Sequence, residues 1–457
     1  MNEPHKTEFL GHDAIFPLLL KMGIPAAIGM LVNALYNVVD TIFVGQGVGP
    51  LAIAALSIAF PIQMIVSAVA QGLGVGTASI VSRRLGERRT EDAAVAIGTA
   101  YTAVLLVTAL LVALLFAFMR PILAFFGASE AVMPLAMEYT GIVAAGFFFF
   151  SMSMCASNLV RAEGNAKASM FGMLIGALLN TVLDPIFIFG FGLGVKGAAI
   201  ATVISQMVSC AYLFSIYFRG KSHVPIKRSH LRIRPRVLGD SAILGTPAFI
   251  QSAGMSLLAL IINNSLGHYG GDDAITTYGM THKVLMIIIM PILGIVQGFQ
   301  PIAGYNYGAR NFGRVRASLR TALLTSFTVS LAGYAIMMLA PRFAVSLFLN
   351  DSVLIASSAR VLRIMALFIP LAAIQITGSV YFQAVGKRGE SFLLGLSRQY
   401  LILIPIIVVL PRFIGVDGVW FAFPLADLIA SSLTITLLVR EVRRLGTEHA
   451  KVPAAAE

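Results

Sequence analysis

The chain has 457 residues, of which 58% are hydrophobic and only 12% charged, with a mean hydropathy of +0.86. That balance excludes an ordinary soluble protein and places the chain in a bilayer. The net charge of +12 calls for no nucleic acid, because a membrane protein that keeps Lys and Arg on one side is basic for topological reasons.

The polar start, MNEPHKTEFLGHD, lacks the apolar core and small-residue cleavage site of a signal peptide, so the first helix is expected to stay attached. Twelve apolar runs follow, at 14–43, 51–80, 92–118, 130–160, 166–190, 195–218, 238–267, 274–307, 315–340, 354–384, 391–411 and 418–439. Each crosses roughly 30 Å of hydrocarbon if helical. None alternates apolar and polar residues as a barrel strand does. The predicted fold is an all-α integral membrane protein with twelve transmembrane helices.

One set of loops carries Arg83, Arg84, Arg88 and Arg89, then Arg161 and Lys167, the stretch from Arg219 to Arg236, then Arg310, Arg314 and Arg316, and finally Lys387 and Arg388. The alternate loops hold only Arg120, Lys196, Arg342 and Arg412, with Asp272 and Asp273 beside them. The basic loops and both termini are therefore assigned to the cytoplasm. The densest run, RGKSHVPIKRSHLRIRPR, reads as a polar linker able to touch anionic membrane lipid. Cys155 and Cys210 fall inside spans, where packing is their expected role.

Punctuating residues reveal an internal repeat. Pro25 matches Pro247, Gly86 matches Gly308 and Gly164 matches Gly386, each 222 residues apart, while Gly194 and Gly197 match Gly415 and Gly418 at 221. Six helices per copy is an even number, so both copies start on the same side and form two parallel six-helix repeats around a central cavity. The expected organisation is an N-lobe over 1–218, a cytoplasmic linker over 219–237, a C-lobe over 238–443 and a cytoplasmic tail over 444–457.

Ionisable residues inside spans mark ion paths or relays, because a mid-bilayer charge costs at least about 2.5 kcal/mol. Asp40 follows Asn33, Tyr36 and Asn37 at helical spacing, which gives span 1 one polar face. In span 5, Asn180 and Asp184 are one turn apart, and Thr202 lies early in span 6. Asp40, Asp184 and Thr202 all fall about one to two turns from the outer surface, so they can meet at one level. Two carboxylates with amide and hydroxyl oxygens suit Na⁺, or a proton shared between acids. The second lobe carries a different charged set, Lys283, Arg398 and Asp427 near mid-span, expected to pair into an internal network.

On these residues the chain resembles the multidrug and toxic compound extrusion (MATE) transporters, in particular their DinF and MepA-like branch. The resemblance runs over nearly the whole length, through NALYNVVDTIFVG, NLVRAEGNAK, NTVLDP, GVKGAAIAT and VWFAFPLADLIAS. It implies a secondary active antiporter that exports cationic amphipathic drugs in exchange for Na⁺ or H⁺ by alternating access. It implies an N-lobe ion site at Asp40, Asn180, Asp184 and Thr202, which would be the Na⁺ site if Na⁺ couples, and a cavity-lining role for Tyr139. The expected location is the inner membrane of a prokaryote, and the expected working form is a monomer that needs no cofactor beyond the coupling ion. The NorM branch carries acids on helices 7 and 10, and spans 241–271 and 354–384 here hold none.

Prolines 25, 61, 247, 291, 370, 405 and 424 lie within spans, where each removes a backbone hydrogen bond. Pro25 is the candidate functional kink, since bending helix 1 moves Asp40. Met152, Met154, Met173, Met255, Met286 and Met290 are candidates for an adaptable cavity lining. Two other readings fit less well. A lipid-linked substrate flippase of the MOP superfamily needs cationic cavity residues for pyrophosphate, and a membrane-embedded prenyl transferase needs a second aspartate motif for Mg²⁺-pyrophosphate. The GKS at 220–222 lacks the upstream glycine of a P-loop, so ATP-driven pumping by this chain alone is not expected, and the chain is read as a secondary transporter and not an enzyme.

Overall fold

A computed structural model describes residues 7–220, 222–347 and 351–451, without the side chains of Ala34, Asn37, Val38, Thr41, Pro50, Ser256 and residues 448–451. In hydrocarbon every backbone N–H must find a carbonyl in its own segment or a closed sheet, and the described residues form helices and no strand. The first half contains α1 (Ile15–Gly47), α2 (Pro50–Gly86), α3 (Thr90–Ala117), α4 (Met133–Ala162), α5 (Ala166–Pro185) and α6 (Val195–Phe218). The second contains α7 (Pro235–Ala253), α8 (Met255–Gly308), α9 (Phe312–Leu339), α10 (Ser352–Ala366), α11 (Ile369–Ala384), α12 (Arg388–Leu396), α13 (Ile404–Val409) and α14 (Val416–Lys451).

Ten helical stretches are long and apolar enough to cross a membrane, and α10 with α11, bent by 49°, makes an eleventh. One of the ten is the 74-residue stretch Pro235–Gly308, which turns at Gly271, where φ is 66° and ψ is −165°. It supplies two passes, so each of the twelve predicted spans has its helix.

The repeat is written in the backbone as well as in the sequence. Residues with positive φ recur 222 apart, at Gly49 (104°) and Gly271 (66°), at Arg88 (59°) and Arg310 (56°), and at Gly164 (93°) and Gly386 (78°). Gly194 (55°) and Gly415 (62°) follow at 221. An arginine in the left-handed region is uncommon and strained, so its presence in both copies shows that equivalent loops share a conformation.

Contacts divide the chain at different places from the expected boundaries. One unit holds Ile28–Ala253 with the residues up to Leu10, and the other holds Gly11–Ala27 and everything from Gly254 on. The physical reason lies in two glycine pairs. In the first unit, α7 lies directly on α2: a Cβ at Gly76 or Gly245 would strike the backbone of Ser241 or Gly72, and Thr77 Oγ1 donates to Ser241 Oγ at 3.0 Å. In the second unit the start of α1 lies on α8, where a Cβ at Gly298 would come within 2.5 Å of the Gly23 nitrogen and one at Gly294 would strike Ala27. Gly72 and Gly76 stand 222 before Gly294 and Gly298, four apart in each case, the small-xxx-small spacing that lets membrane helices approach closely. Each unit thus contains the opening helix segment of the other half of the sequence.

The segment between α6 and α7 is docked onto the first unit. Glu163, in the loop after α4, accepts hydrogen bonds from Tyr217 Oη (2.9 Å), Ser222 Oγ (2.6 Å) and the His223 N–H (2.9 Å). His230 is buried, with Nε2 2.7 Å from Glu91 Oε1 and Nδ1 accepting from the Lys227 N–H at 3.1 Å. Thr102 Oγ1 donates to the Leu231 carbonyl at 2.7 Å. Gly98 is required there, because a Cβ would strike the His230 carbonyl.

Candidate ion-coupling site

Helix α5 brings Asn180 and Asp184 to one face because they are four residues apart. Both are buried, and Asn180 Nδ2 donates to Asp184 Oδ1 at 3.2 Å and to Thr202 Oγ1 of α6 at 3.3 Å. Asp40, half-buried on α1, stands against Asp184. Tyr36, one turn before it, and Tyr139 of α4 lie within electrostatic reach of both carboxylates. Tyr139 is buried in the apolar cluster of Val44, Ile62, Leu115, Phe147 and Ile188 that backs the site. All of these residues belong to the first unit.

Three oxygens at this point are buried without a hydrogen-bond partner: Asp40 Oδ1, Asn180 Oδ1 and Asp184 Oδ2. Each is an acceptor, and two belong to carboxylates. Like charges this close cannot both stay ionised unless a cation or proton sits between them. The donor set is oxygen only, hard and of low coordination, which fits Na⁺ or a shared proton better than a transition metal. A five-residue π-helical turn, Ile186–Gly190, begins directly after Asp184 and Pro185. Such turns interrupt the α-helical ladder and often accompany functional groups.

The remaining predicted residues are placed as follows. Asn33 is exposed on α1, and the Asn37 side chain lies outside the described residues. Pro25 is inside α1, two residues before contacts pass from one unit to the other after Ala27. Of the methionines, Met255 is exposed and the other five are partly buried. In the second unit, Arg398 Nε meets Asp427 Oδ1 at 2.5 Å, with the Asp427 carboxylate buried. Arg398 lies in a second π-helical stretch, Ser397–Leu403. The expected three-charge network is therefore a pair: Lys283 is exposed, and the groups that feel Arg398 are Tyr278 and His282. Tyr278 stacks on Phe423 at 5.8 Å.

Pattern reading missed the hydroxyls of Ser205 and Thr140, which are buried and without a hydrogen-bond partner. It also missed Glu163, a buried carboxylate outside the spans. Burial pushes the Glu163 carboxyl up to about 7 against the pull of its three donors. The cue available in the sequence was a carboxylate immediately after RA at a basic loop, beside a glycine that needs positive φ.

The family model MatE matches residues 25–186 and 247–409, one match in each half. The chain belongs to the MatE family. Among MatE relatives, the multidrug export protein MepA of Staphylococcus aureus (strain NCTC 8325 / PS 47) is 26% identical over 93% of this chain and 94% of its own length. A crystal structure of MATE in complex with MaL6 superposes with a TM-score of 0.91 at 27% identity, covering 97% of this chain and 100% of that one. The structure of the MATE multidrug transporter DinF-BH, solved in complex with a small-molecule ligand, is 38% identical, with a TM-score of 0.87 over 96% of this chain and 98% of that one. Within this MatE chain the second half lacks the site. Ile262, 222 residues after Asp40, is buried in the apolar core of the second unit, and no carboxylate occurs between Arg398 and Leu410.

Proposed function

We propose that the protein exports cationic amphipathic compounds from a prokaryotic cell across the inner membrane, in exchange for inward Na⁺ or H⁺, without chemical conversion of its cargo. The observation that carries this reading is the group of partnerless acceptors on Asp40, Asp184 and Asn180 in one unit. A site with two carboxylates and no protein cation is completed by a mobile one, and losing or gaining that ion changes which conformation the unit favours. Alternating access then couples the ion to the exported compound. The MepA relatives, named for multidrug export, and the ligand complex of the multidrug transporter DinF-BH support the class of cargo. The basic loops and both termini face the cytoplasm in this reading, and the monomer is the working form.

The test is export of a fluorescent lipophilic cation by purified protein in liposomes, with Na⁺ and H⁺ gradients imposed separately. One of the two gradients drives accumulation, and Asp40→Asn abolishes the response while the protein still folds. Transport indifferent to both gradients, or an Asp40→Asn variant as fast as wild type, refutes the reading.

A further inference from the structure

Between α4, α5 and α6 runs a line of hydroxyls that starts at the carboxylates and ends at the opposite end of the helices. Thr202, Ser205 and Ser209 lie three and four residues apart on α6, so they share one face. Thr202 is tied to Asn180 at 3.3 Å. Ser205 follows one turn later, buried and partnerless. Ser209 donates to the Gly172 carbonyl at 2.7 Å and meets Ser153 Oγ of α4 at 2.9 Å. One turn further along α4, Ser157 meets Ser169 Oγ of α5 at 2.6 Å. From Asn180 to Ser169 the line descends about 16 Å along α5 and stops at the first turn of that helix, beside the loop that carries Glu163.

Two features set this line apart from ordinary helix-packing serines. The first is the place of Ser205 Oγ: like Thr140, Thr281, Ser326, Ser358 and Ser431 it is a buried hydroxyl without a protein partner, at a cost of about 1–3 kcal/mol, but it sits where the line needs its next step. The second is the comparison between halves. On α14, 221 residues on, Thr202, Ser205 and Ser209 are replaced by Phe423, Ala426 and Ala430, which are buried. The hydroxyls at these three positions occur in the half that has the carboxylates and are missing from the matching positions of α14, whose buried hydroxyls, Ser431 and Thr434, lie further along the helix.

We propose that Thr202, Ser205, Ser209, Ser153, Ser157 and Ser169 form a proton relay that carries the coupling proton from the Asp40–Asp184 site to the cytoplasmic side through the interior of the first unit. The relay rests on H⁺, not Na⁺, as the coupling ion of the function proposed above. Hydroxyl pairs in direct contact at 2.6 and 2.9 Å leave no passage for a sodium ion, whereas a proton needs none. Each hydroxyl accepts a proton on a lone pair and releases its own to the next oxygen, then turns about its Cβ–Oγ bond to restore the starting orientation, Ser209 swinging between the Gly172 carbonyl and Ser153 Oγ, so that each oxygen keeps one proton and only the two ends gain or lose charge. Steps of three or four residues, about 4.5–6 Å along the helix, would each be spanned by one water hydrogen-bonded at both sides.

The decisive variant is Ser205→Ala, because Ser205 makes no protein hydrogen bond and its removal leaves the fold intact. Full-length protein in sealed liposomes, with a pH-sensitive dye trapped inside and a fluorescent lipophilic cation as cargo, reports proton movement and cation binding together. Ser205→Ala and Ser209→Ala are expected to bind the cation with wild-type affinity and to lose the cation-driven pH change, while Ser209→Thr retains it. Both alanine variants moving protons at the wild-type rate would overturn the relay and leave the antiporter standing. A wild type that answers Na⁺ and ignores H⁺ overturns the relay through its premise.

Discussion

Replacing Glu163 by Gln isolates a single titration in a protein that has several. The carboxylate is 2% exposed, and its three donors, Tyr217, Ser222 and the His223 N–H, do not offset the cost of burying its charge. Its pKa rises from an ordinary 4.5 to about 7. Below pH 4.5 the group is protonated whether the chain is folded or not, and its contribution to stability is fully present. As pH climbs from there to about 7, the unfolded chain gives up the proton while the folded one keeps it, so stability falls, and the contribution is gone above that. A window of about 2.5 pH units at roughly 1.4 kcal/mol per unit is worth about 3–4 kcal/mol. Gln keeps a carbonyl to accept from Ser222 or Tyr217 and has no proton to lose. Thermal unfolding of the purified protein between about pH 5 and about pH 8 is expected to show wild type losing stability as pH rises and Glu163→Gln losing distinctly less. Parallel curves for the two proteins would show that the reasoning from burial is wrong.

Other consequences are open to the same kind of measurement. Gly76→Ala and Gly298→Ala each put a methyl against backbone that has no side chain to move, and each is expected to destabilise by about 1–3 kcal/mol or more, read as a lowered melting temperature. Asp427→Ala strands the half-buried Arg398 guanidinium and is expected to destabilise, by less than the roughly 3–5 kcal/mol of a fully buried charge, whereas Arg398→Met with Asp427→Leu is near neutral; a double variant as unstable as the single one would argue that the pair is more than structural. Ile262→Asp places a charge at the second-half counterpart of Asp40 without a partner, and is expected to lower stability by about 2.5–3.5 kcal/mol and to bring no second ion site, as judged by unchanged ion dependence of transport.

The site was legible in the sequence to the extent that its chemistry is rare. A carboxylate inside an apolar run is costly enough to stand out, so Asp40 and Asp184 are visible in the sequence, their helical depth sets Thr202 at the same level, and the structure brings Asn180, Asp184 and Thr202 into one hydrogen-bonded group. The repeat was legible because Gly164, Gly194 and their counterparts are held by backbone geometry that few other residues tolerate. Serines were not legible. Ser and Thr in helices mostly bond back to the carbonyl four residues earlier, as Ser57, Thr181 and Thr246 do here, and nothing in the sequence separates those from Ser205. Lys283 looked like a member of the Arg398–Asp427 pair because depth along a helix is readable while the direction of its face is not. The unit boundary was missed for a related reason: glycines four apart are common in membrane helices, and Gly72 with Gly76 names no partner until α7 is seen lying on them.

That exchange of opening segments bears on how such a chain could have arisen. A single six-helix copy would lack the piece that covers its own glycine pair, since α2 is closed by α7 and α8 by the start of α1. Only a second copy could provide it. An ancestor of half this length is therefore expected to have been an obligate pair whose members traded the starts of their first helices, with the present chain corresponding to such a pair joined end to end. For the same reason residues 1–218 produced alone are expected to expose Gly72 and Gly76 and to recover their packing only when the rest of the chain is supplied in trans.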